Sequence, residues 1–206
     1  MDPGNADALL ALAREHAIDL TVVGPELPLS RGVVDRFVEQ GLSIFGPTAA
    51  AARLESSKVF AKDFMARHGI PTARFRVCHD AAEALTVVAS GELGWPLVIK
   101  ADGLAAGKGV VIAPDADEAS ATIRAVMVER RFGSAGDHVV LEECLVGPEA
   151  SYFVIADGTQ AMPLSSAQDH KRIFDDDLGP NTGGMGAFAP SPLLTSVVEQ
   201  QVLDTI

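Results

Sequence analysis

Two lysines and a run of glycines carry the first chemical signal in this chain. The segment Lys100-Ala101-Asp102-Gly103-Leu104-Ala105-Ala106-Gly107-Lys108-Gly109 sets two cations around three glycines, and small residues let backbone N–H groups approach phosphate oxygens closely. The chemistry would be phosphate binding. The segment is not a Walker A loop, because three residues rather than four separate Gly103 from Gly107, and Gly109 stands where a magnesium-binding Ser or Thr is needed. A glycine-rich turn between strands also serves as a plain hairpin. Lys100 tips the reading toward phosphate, since a lysine ending an apolar strand must reach solvent or meet an anion.

Further along, Glu142-Glu143-Cys144-Leu145 lies where one domain passes to the next. Backbone N–H and C=O groups at such a connection can pair with an adenine edge, and Glu149 can accept from both ribose hydroxyls. The alternative is a strand end with solvated carboxylates. In Gln168-Asp169-His170-Lys171-Arg172, the residues Asp169, Lys171 and Arg172 suit a substrate carboxylate, phosphate or amine, while the run Asn181-Thr182-Gly183-Gly184-Met185-Gly186 can offer backbone N–H groups. The alternative there is a solvated loop. Ser166, Asp169 and His170 do not make a hydrolase triad, because near neighbours on an extended chain alternate faces. The acidic run Asp175-Asp176-Asp177 reads as a solvated turn, and no residue is assigned as a metal ligand.

These candidates need elements to hold them. Asp7 is placed to cap a helix through Ala17, ahead of an apolar run at 20–23; Ser30 is placed to open a second helix closing near Gly41, ahead of a strand at 42–45. Helix, strand, helix, strand implies a parallel α/β sheet. Ser57 caps a helix from Lys58 to His68, with Gly69 as its stop and Pro71 beyond. Strands follow at 96–101 and 110–113, Asp115 and Glu118 form a capping box for a helix to about Arg130, and 139–143 is another strand. Residues 150–156 and 162–164 read as paired strands, 165–192 as a long polar loop with too few apolar residues for regular structure, and 197–206 as opening turns of a helix. The expected fold class is α/β and α+β. Three segments are expected: residues 1–72 as the remnant of a substrate-binding α/β domain, 73–145 as a subdomain with the glycine-rich loop, and 146–206 as the start of a larger subdomain.

Composition bounds the function. With 206 residues, 48% of them hydrophobic, the chain is long enough to bury one sizeable core or two smaller ones. A formal charge of −12 and no cluster of Lys and Arg with interleaved aromatics argue against nucleic acid as a main partner. Local cations and N–H groups still permit a phosphorylated small molecule. Only Cys78 and Cys144 are present, without metal-ligand spacing, and both read as free buried thiols. No apolar run approaches the ~20 residues of a membrane span, and no signal peptide opens the chain; the expected location is cytoplasmic, and the oligomeric state is open.

The order of these motifs resembles the ATP-grasp superfamily. The resemblance runs through Ser56-Ser57-Lys58-Val59-Phe60-Ala61-Lys62-Asp63-Phe64-Met65, then Ile70-Pro71-Thr72, then Val98 to Gly109. Val23-Gly24-Pro25-Glu26, Ile44-Phe45-Gly46-Pro47-Thr48, Glu142-Glu143, Gln168 to Arg172 and Gly179 to Ala187 resemble the glycinamide ribonucleotide synthetase family within it. The match covers nearly the whole chain, and its last two motifs are long and unusual. It implies a carboxylate-amine ligase of purine biosynthesis, with ATP and Mg2+ as cofactors and glycine and 5-phosphoribosylamine as substrates. Glycine would be phosphorylated to glycyl phosphate, and the amine would then attack it. Lys58 and Lys100 would hold ATP phosphates beneath the loop from Asp102 to Gly109, backbone at Glu143 and Leu145 would meet adenine, and Glu149 ribose. Gly24 and Glu26 would face phosphoribosylamine.

Against the family pattern, the opening strand and glycine turn have no counterpart before Met1, and the magnesium-ligating Glu and Asn would lie beyond Ile206. The expectation is a fragment with little or no ligase turnover alone. Two other readings stand beside it: another ATP-grasp ligase, such as a biotin-dependent carboxylase, and a non-catalytic nucleotide-binding remnant.

Overall fold

The computed structural model describes residues 2–104 and 109–206, with the side chains of Asp177, Pro180 and Asn181 left aside. The chain forms two compact units, Met1–Leu145 and Val146–Ile206.

The first unit opens with helix α1 (Ala6–Glu15) and the short strand β1 (Thr21–Val22). Asn5 caps α1 by accepting from the Ala8 N–H, two residues before the expected Asp7, which sits instead in the first turn where a carboxylate favours the helix dipole. The single helix expected from Ser30 is two, α2 (Glu26–Ser30) and α3 (Val33–Glu39), separated by Gly32 in the left-handed region. Strand β2 (Ile44–Phe45) pairs with β1 in parallel, as the helix-strand alternation required. A helix absent from the sequence reading, α4 (Ala49–Ser56), follows under a Thr48 cap. Its alanine-rich run offers a weak apolar stripe, so periodicity alone does not disclose it. Leu10, Leu29, Val33, Val34, Phe37 and Ala52 form the core here. Gly46 lies against that core: a Cβ there would sit 2.9 Å from Leu29 Cδ2 and 3.2 Å from Val34 Cγ2.

Helix α5 (Lys58–His68) has the Ser57 cap and the Gly69 stop read from the sequence. After it come β3 (Phe75–Cys78), α6 (Ala81–Ser90), β4 (Leu97–Ala101), β5 (Val110–Ala113), α7 (Ala116–Ile123) continued by one π-helical stretch (Arg124–Val128), and β6 (Val139–Glu143). The strands form an antiparallel sheet in the order β3-β6-β4-β5. Alternation gives this sheet two different faces. Cys78, Leu97, Ile99, Ala101, Val139 and Leu141 pack with Ala84, Val88, Ala119 and Ile123 from α6 and α7. The opposite parity carries Phe75, Val98, Lys100, Val140 and Glu142, and here the charged residues sit.

The second unit contains β7 (Ser151–Ala156) and β8 (Ala161–Asp169), an antiparallel hairpin, with β11 (Ala187–Phe188) on the other side of β8. Strand β9 (Arg172–Phe174) pairs with β10 (Leu178–Asn181), and α8 (Ser196–Thr205) follows a Thr195 cap. The expected structureless loop over 165–192 is therefore wrong. Backbone ladders there are reinforced by hydroxyl and guanidinium bonds to the main chain, so regular pairing forms without an apolar core. Asp175 and Asp176 lie exposed in the single 3-10 turn between β9 and β10, the solvated turn expected.

Cys78 is fully buried, whereas Cys144 is only partly so, which corrects the reading of two buried thiols. Among the described residues no helix is long and apolar enough to cross a membrane.

Candidate nucleotide site and substrate motifs

The start of α5 and the end of β4 are fastened together by one carboxylate. Asp102 Oδ1 accepts from the Val59 N–H at 3.2 Å, and Oδ2 accepts from the Ser57 hydroxyl at 3.3 Å. A carboxylate at a helix N-terminus satisfies a backbone donor that the helix leaves open and complements its dipole. One residue on, the Gly103 carbonyl accepts from Lys58 Nζ at 3.0 Å. Gly103 has φ +100°, and an added Cβ would meet Ala135 Cβ at 3.4 Å, so backbone conformation and space both favour glycine there. Thus the loop after β4 begins on top of α5, and the two lysines expected to hold phosphate share one place in the fold.

Lys100 does meet an anion. Its Nζ donates to Glu142 Oε2 at 2.9 Å on the neighbouring strand. Val98 pairs with Glu142 and Lys100 with Val140, so the two charges are diagonal neighbours on one face of the sheet. Glu142 is buried, and its second oxygen lies 3.2 Å from Lys62 Nζ of α5, which is buried too and donates to Thr72 Oγ1 at 2.6 Å. The approach of Lys62 to Oε1 is ionic without hydrogen-bond direction: that oxygen accepts no hydrogen bond among the described residues. A cavity of about 350 Å³ is lined by Lys58, Lys62, Thr72, Lys100, Val110 and Glu142, with Leu54, Glu55, Ala61 and Met65 completing it.

This corrects the sequence reading at Glu142, which is neither a solvated carboxylate nor an exposed strand end but the anion between two lysines. Glu143 is different again. Its carboxylate accepts from the Arg74 N–H at 2.8 Å and from Arg74 Nε at 2.6 Å, and these bonds hold its pKa below the usual carboxylate range. The Glu143 N–H donates to the Arg74 carbonyl at 3.0 Å, so it is not free for an adenine edge. Leu145 is largely exposed. Gly107 and Lys108 lie outside the described residues; Gly109 accepts from the Ala101 N–H through its carbonyl at 2.8 Å as β5 begins.

Gly24 lies in the turn leaving the carboxyl end of β1 and Glu26 opens α2 just after it, and Gly46-Pro47-Thr48 form the turn leaving β2. The carboxyl ends of parallel strands are where open α/β sheets receive ligands.

In the second unit the two late motifs zip together. The His170 N–H donates to the Gly186 carbonyl, the Met185 N–H to the His170 carbonyl, and the Thr182 N–H and hydroxyl to the Lys171 carbonyl, at 2.9, 2.7, 2.7 and 2.9 Å. The Gly184 N–H donates to Thr182 Oγ1, and Arg172 Nη1 to the Gly179 carbonyl. Asp169, Lys171, Arg172, Thr182, Gly183, Gly184 and Gly186 are thus brought into one strand-paired region, which Asn181 joins through β10. Asp169 and Lys171 form an exposed ion pair, and their mutual hydrogen bond lowers the carboxyl pKa and raises that of the ammonium, with the charge of Glu149 adding a smaller push on Lys171. Ser166 is buried, and its hydroxyl oxygen accepts from the Ser191 N–H.

Lys62 was the functional candidate without a role in the sequence reading. Its signal was available: Lys58 and Lys62 are four apart on α5 and share a face.

Comparison with known proteins now decides the family. A family model described as the N domain of phosphoribosylglycinamide synthetase matches residues 1–55, and one described as its ATP-grasp (A) domain matches residues 56–206. The chain belongs to the phosphoribosylglycinamide synthetase family. It is 55% identical over 200 residues to the phosphoribosylamine–glycine ligase of Xylella fastidiosa, an alignment that covers 97% of this chain and 46% of that protein. The chain therefore spans somewhat less than half the length of the curated relatives it matches. The crystal structure of phosphoribosylamine–glycine ligase from Thermotoga maritima superposes with a TM-score of 0.72 at 34% identity, covering 89% of this chain and 44% of that one. The biotin carboxylase domain of Hydrogenobacter thermophilus 2-oxoglutarate carboxylase, solved with MgADP, ADP and bicarbonate, gives a TM-score of 0.75 at 22% identity, over 98% of this chain and 43% of that one. That second likeness is one of fold. Within the phosphoribosylglycinamide synthetase family, then, residues 1–55 carry the N domain, and the sheet β3-β6-β4-β5 with α5 opens the ATP-grasp domain.

Proposed function

We propose that this chain holds ATP between α5 and the β4-β5 loop, and that the whole protein of which it is part ligates glycine to 5-phosphoribosylamine in purine biosynthesis. In that reaction a glycine carboxylate oxygen attacks the γ-phosphorus of ATP, giving glycyl phosphate and ADP. The phosphoribosylamine nitrogen then attacks the glycyl carbonyl, phosphate leaves, and the nitrogen loses a proton to give the amide. Such phosphoryl transfer needs positioned cations and N–H groups and no covalent side-chain nucleophile.

The observation that carries the reading is the meeting of Lys58, Lys100 and the Gly103 turn at one cavity. Lys58 and Lys100 hold phosphates beside the turn that begins at Asp102 and Gly103, and Glu143 and Leu145 define the adenine side through the carbonyl of Glu143 and the backbone of Leu145. Glu149 takes the ribose hydroxyls. Asp169, Lys171 and Arg172 act on the reacting carboxylate and phosphate, Asn181 through Gly186 receive glycine, and Gly24 and Glu26 receive phosphoribosylamine. The three segments 1–72, 73–145 and 146–206 are proposed as the corresponding functional parts, and the cytoplasm as their location. Magnesium, entering with ATP, would supply positive charge that stabilises the transferring phosphoryl group. Among the described residues no three His, Cys, Asp or Glu side chains converge on a metal position.

Titration of the purified chain with ATP and magnesium tests the nucleotide assignment. Saturable binding is expected, weakened at least tenfold in Lys100→Ala, about 1.4 kcal/mol in binding free energy. Equal binding by the variant would move the nucleotide elsewhere, and no binding by either would remove ATP binding from this chain. Glycine-dependent and phosphoribosylamine-dependent ADP release by the full-length protein tests the ligase assignment.

A further inference from the structure

Lys62 is buried among groups that the ATP assignment leaves without a purpose. Its side chain is 9% exposed and that of Glu142 5%, whereas Lys100 retains 29%. An isolated buried ammonium or carboxylate is strongly disfavoured, so each must be paired. Two ammonium groups share the single Glu142 carboxylate, which leaves one unit of positive charge over. Geometry decides where that surplus appears: all three groups line the cavity, but Lys62 is held by Thr72 Oγ1 at 2.6 Å and lies 5.4 Å from the Phe75 ring centre, whereas Lys100 is the most exposed of them.

We propose that Lys62 is a positioning residue for the nucleotide phosphates: by compensating Glu142 from the buried side, it leaves the charge of Lys100 available to the ligand while Glu142 still fixes the position of Lys100. This rests on the ATP reading above and deepens it. With Lys62 removed, the Glu142 carboxylate has, among the described residues, only Lys100 as a counterion, the pair is neutral as a whole, and a phosphate meets a carboxylate 2.9 Å behind its cation. With both Lys62 and Glu142 neutral, Lys100 again presents a full charge. The unfilled Glu142 Oε1 fits this account, because its contact with Lys62 compensates charge without fixing a hydrogen-bond direction. Lys62 has no contact to the phosphates in this scheme and acts only through its neighbours.

The test is a titration of the chain with ATP and, by ligand-observed NMR, with adenosine, for wild type, Lys62→Met, Lys62→Arg and Lys62→Met/Glu142→Gln. Lys62→Met is expected to weaken ATP binding at least tenfold with adenosine unchanged. The double variant should return to within about threefold of wild type, a range under 1 kcal/mol, and Lys62→Arg should stay within the same range. Lys62→Gln carries the expectation of Lys62→Met and replaces it if circular dichroism shows Lys62→Met unfolded. A wild-type-like ATP affinity in the uncharged variant overturns the proposal. So does equal loss of ATP and adenosine, which marks a merely structural lysine, and so does a loss that the double variant fails to recover. Absence of ATP binding by wild type sinks the nucleotide reading itself and this proposal with it.

Discussion

In the first unit, the sheet β3-β6-β4-β5 buries Leu97, Ile99, Val139 and Leu141 on one face and a carboxylate between two lysines on the other. The second unit is built differently: Phe153, Val154, Met162 and Leu164 of its β7-β8 hairpin are exposed, and among the described residues no apolar side chain beyond Leu141 is buried. Each large aliphatic side chain buried in the first unit contributes roughly 1.5–3 kcal/mol. The second unit relies on backbone ladders and on local bonds such as Thr182 to Lys171 and Arg172 to Gly179. The same contrast holds for charge. Glu142 sits out of water with two cations; Asp169 sits in water with one.

The largest expected effect follows from removing the buried anion. Glu142→Ala strands Lys62 and leaves Lys100 without its partner, and uncompensated buried charge typically costs about 3–5 kcal/mol. For a chain of this size that corresponds to a fall in Tm on the order of 10 °C. Thermal unfolding followed by circular dichroism measures it, and a Tm within 2 °C of wild type, roughly a 1 kcal/mol change or less, would mean that water or rearrangement already relieves the cluster. A much smaller effect is expected for Asp169→Asn. Exposed ion pairs are screened by solvent and hold two side chains in one geometry at an entropic cost, so the Tm should not change measurably. If Asp169→Asn were to melt the protein as Glu142→Ala does, the distinction between the two regions would collapse.

What the sequence disclosed follows the same division. The Ser57 cap, the Gly69 stop, β4, β5, β6 and the Asp115 cap, which accepts from the Glu118 N–H without the reciprocal bond of the expected capping box among the described residues, were legible because each depends on residues a few positions apart. The partner of Lys100 was not, because Glu142 is 42 residues away and only strand pairing brings it near. Lys62 escaped for a related reason: its place on α5 was clear, but what it faces depends on the sheet packed against that helix. In the second unit the low apolar content of 165–192 suggested a loop, yet the ladder between Lys171 and Thr182 needs no buried side chains. The family motifs there were recognisable as sequences before their pairing was. Asp102 shows the same limit on a small scale, since its role as a second acceptor at the start of α5 spans 43 residues from Val59.

The smallest effect isolates the local bonds of the second unit. Asp157 terminates β7, and its carboxylate accepts from the Gln160 and Thr159 N–H groups at 2.8 Å each and from the Thr159 hydroxyl. These donors, Gln160 foremost, hold its pKa at about 2 against an ordinary 3.8. Because the folded pKa is depressed, the unfolded chain binds more protons between these values, and stability falls as pH falls. The contribution of Asp157 is present above about pH 4 and is lost progressively toward pH 2. Asp157→Asn removes that titration while retaining one carbonyl acceptor. Its denaturant midpoint should therefore vary less between pH 4.5 and pH 2.5 than that of wild type, with the two proteins closest at the acid end. Since the group is fully exposed, the expected change is in slope and not in overall fold. An unchanged acid slope would show that the turn at 157–160 opens before the rest of its unit unfolds, and that local bonds of this kind do not report on the stability of the hairpin they close.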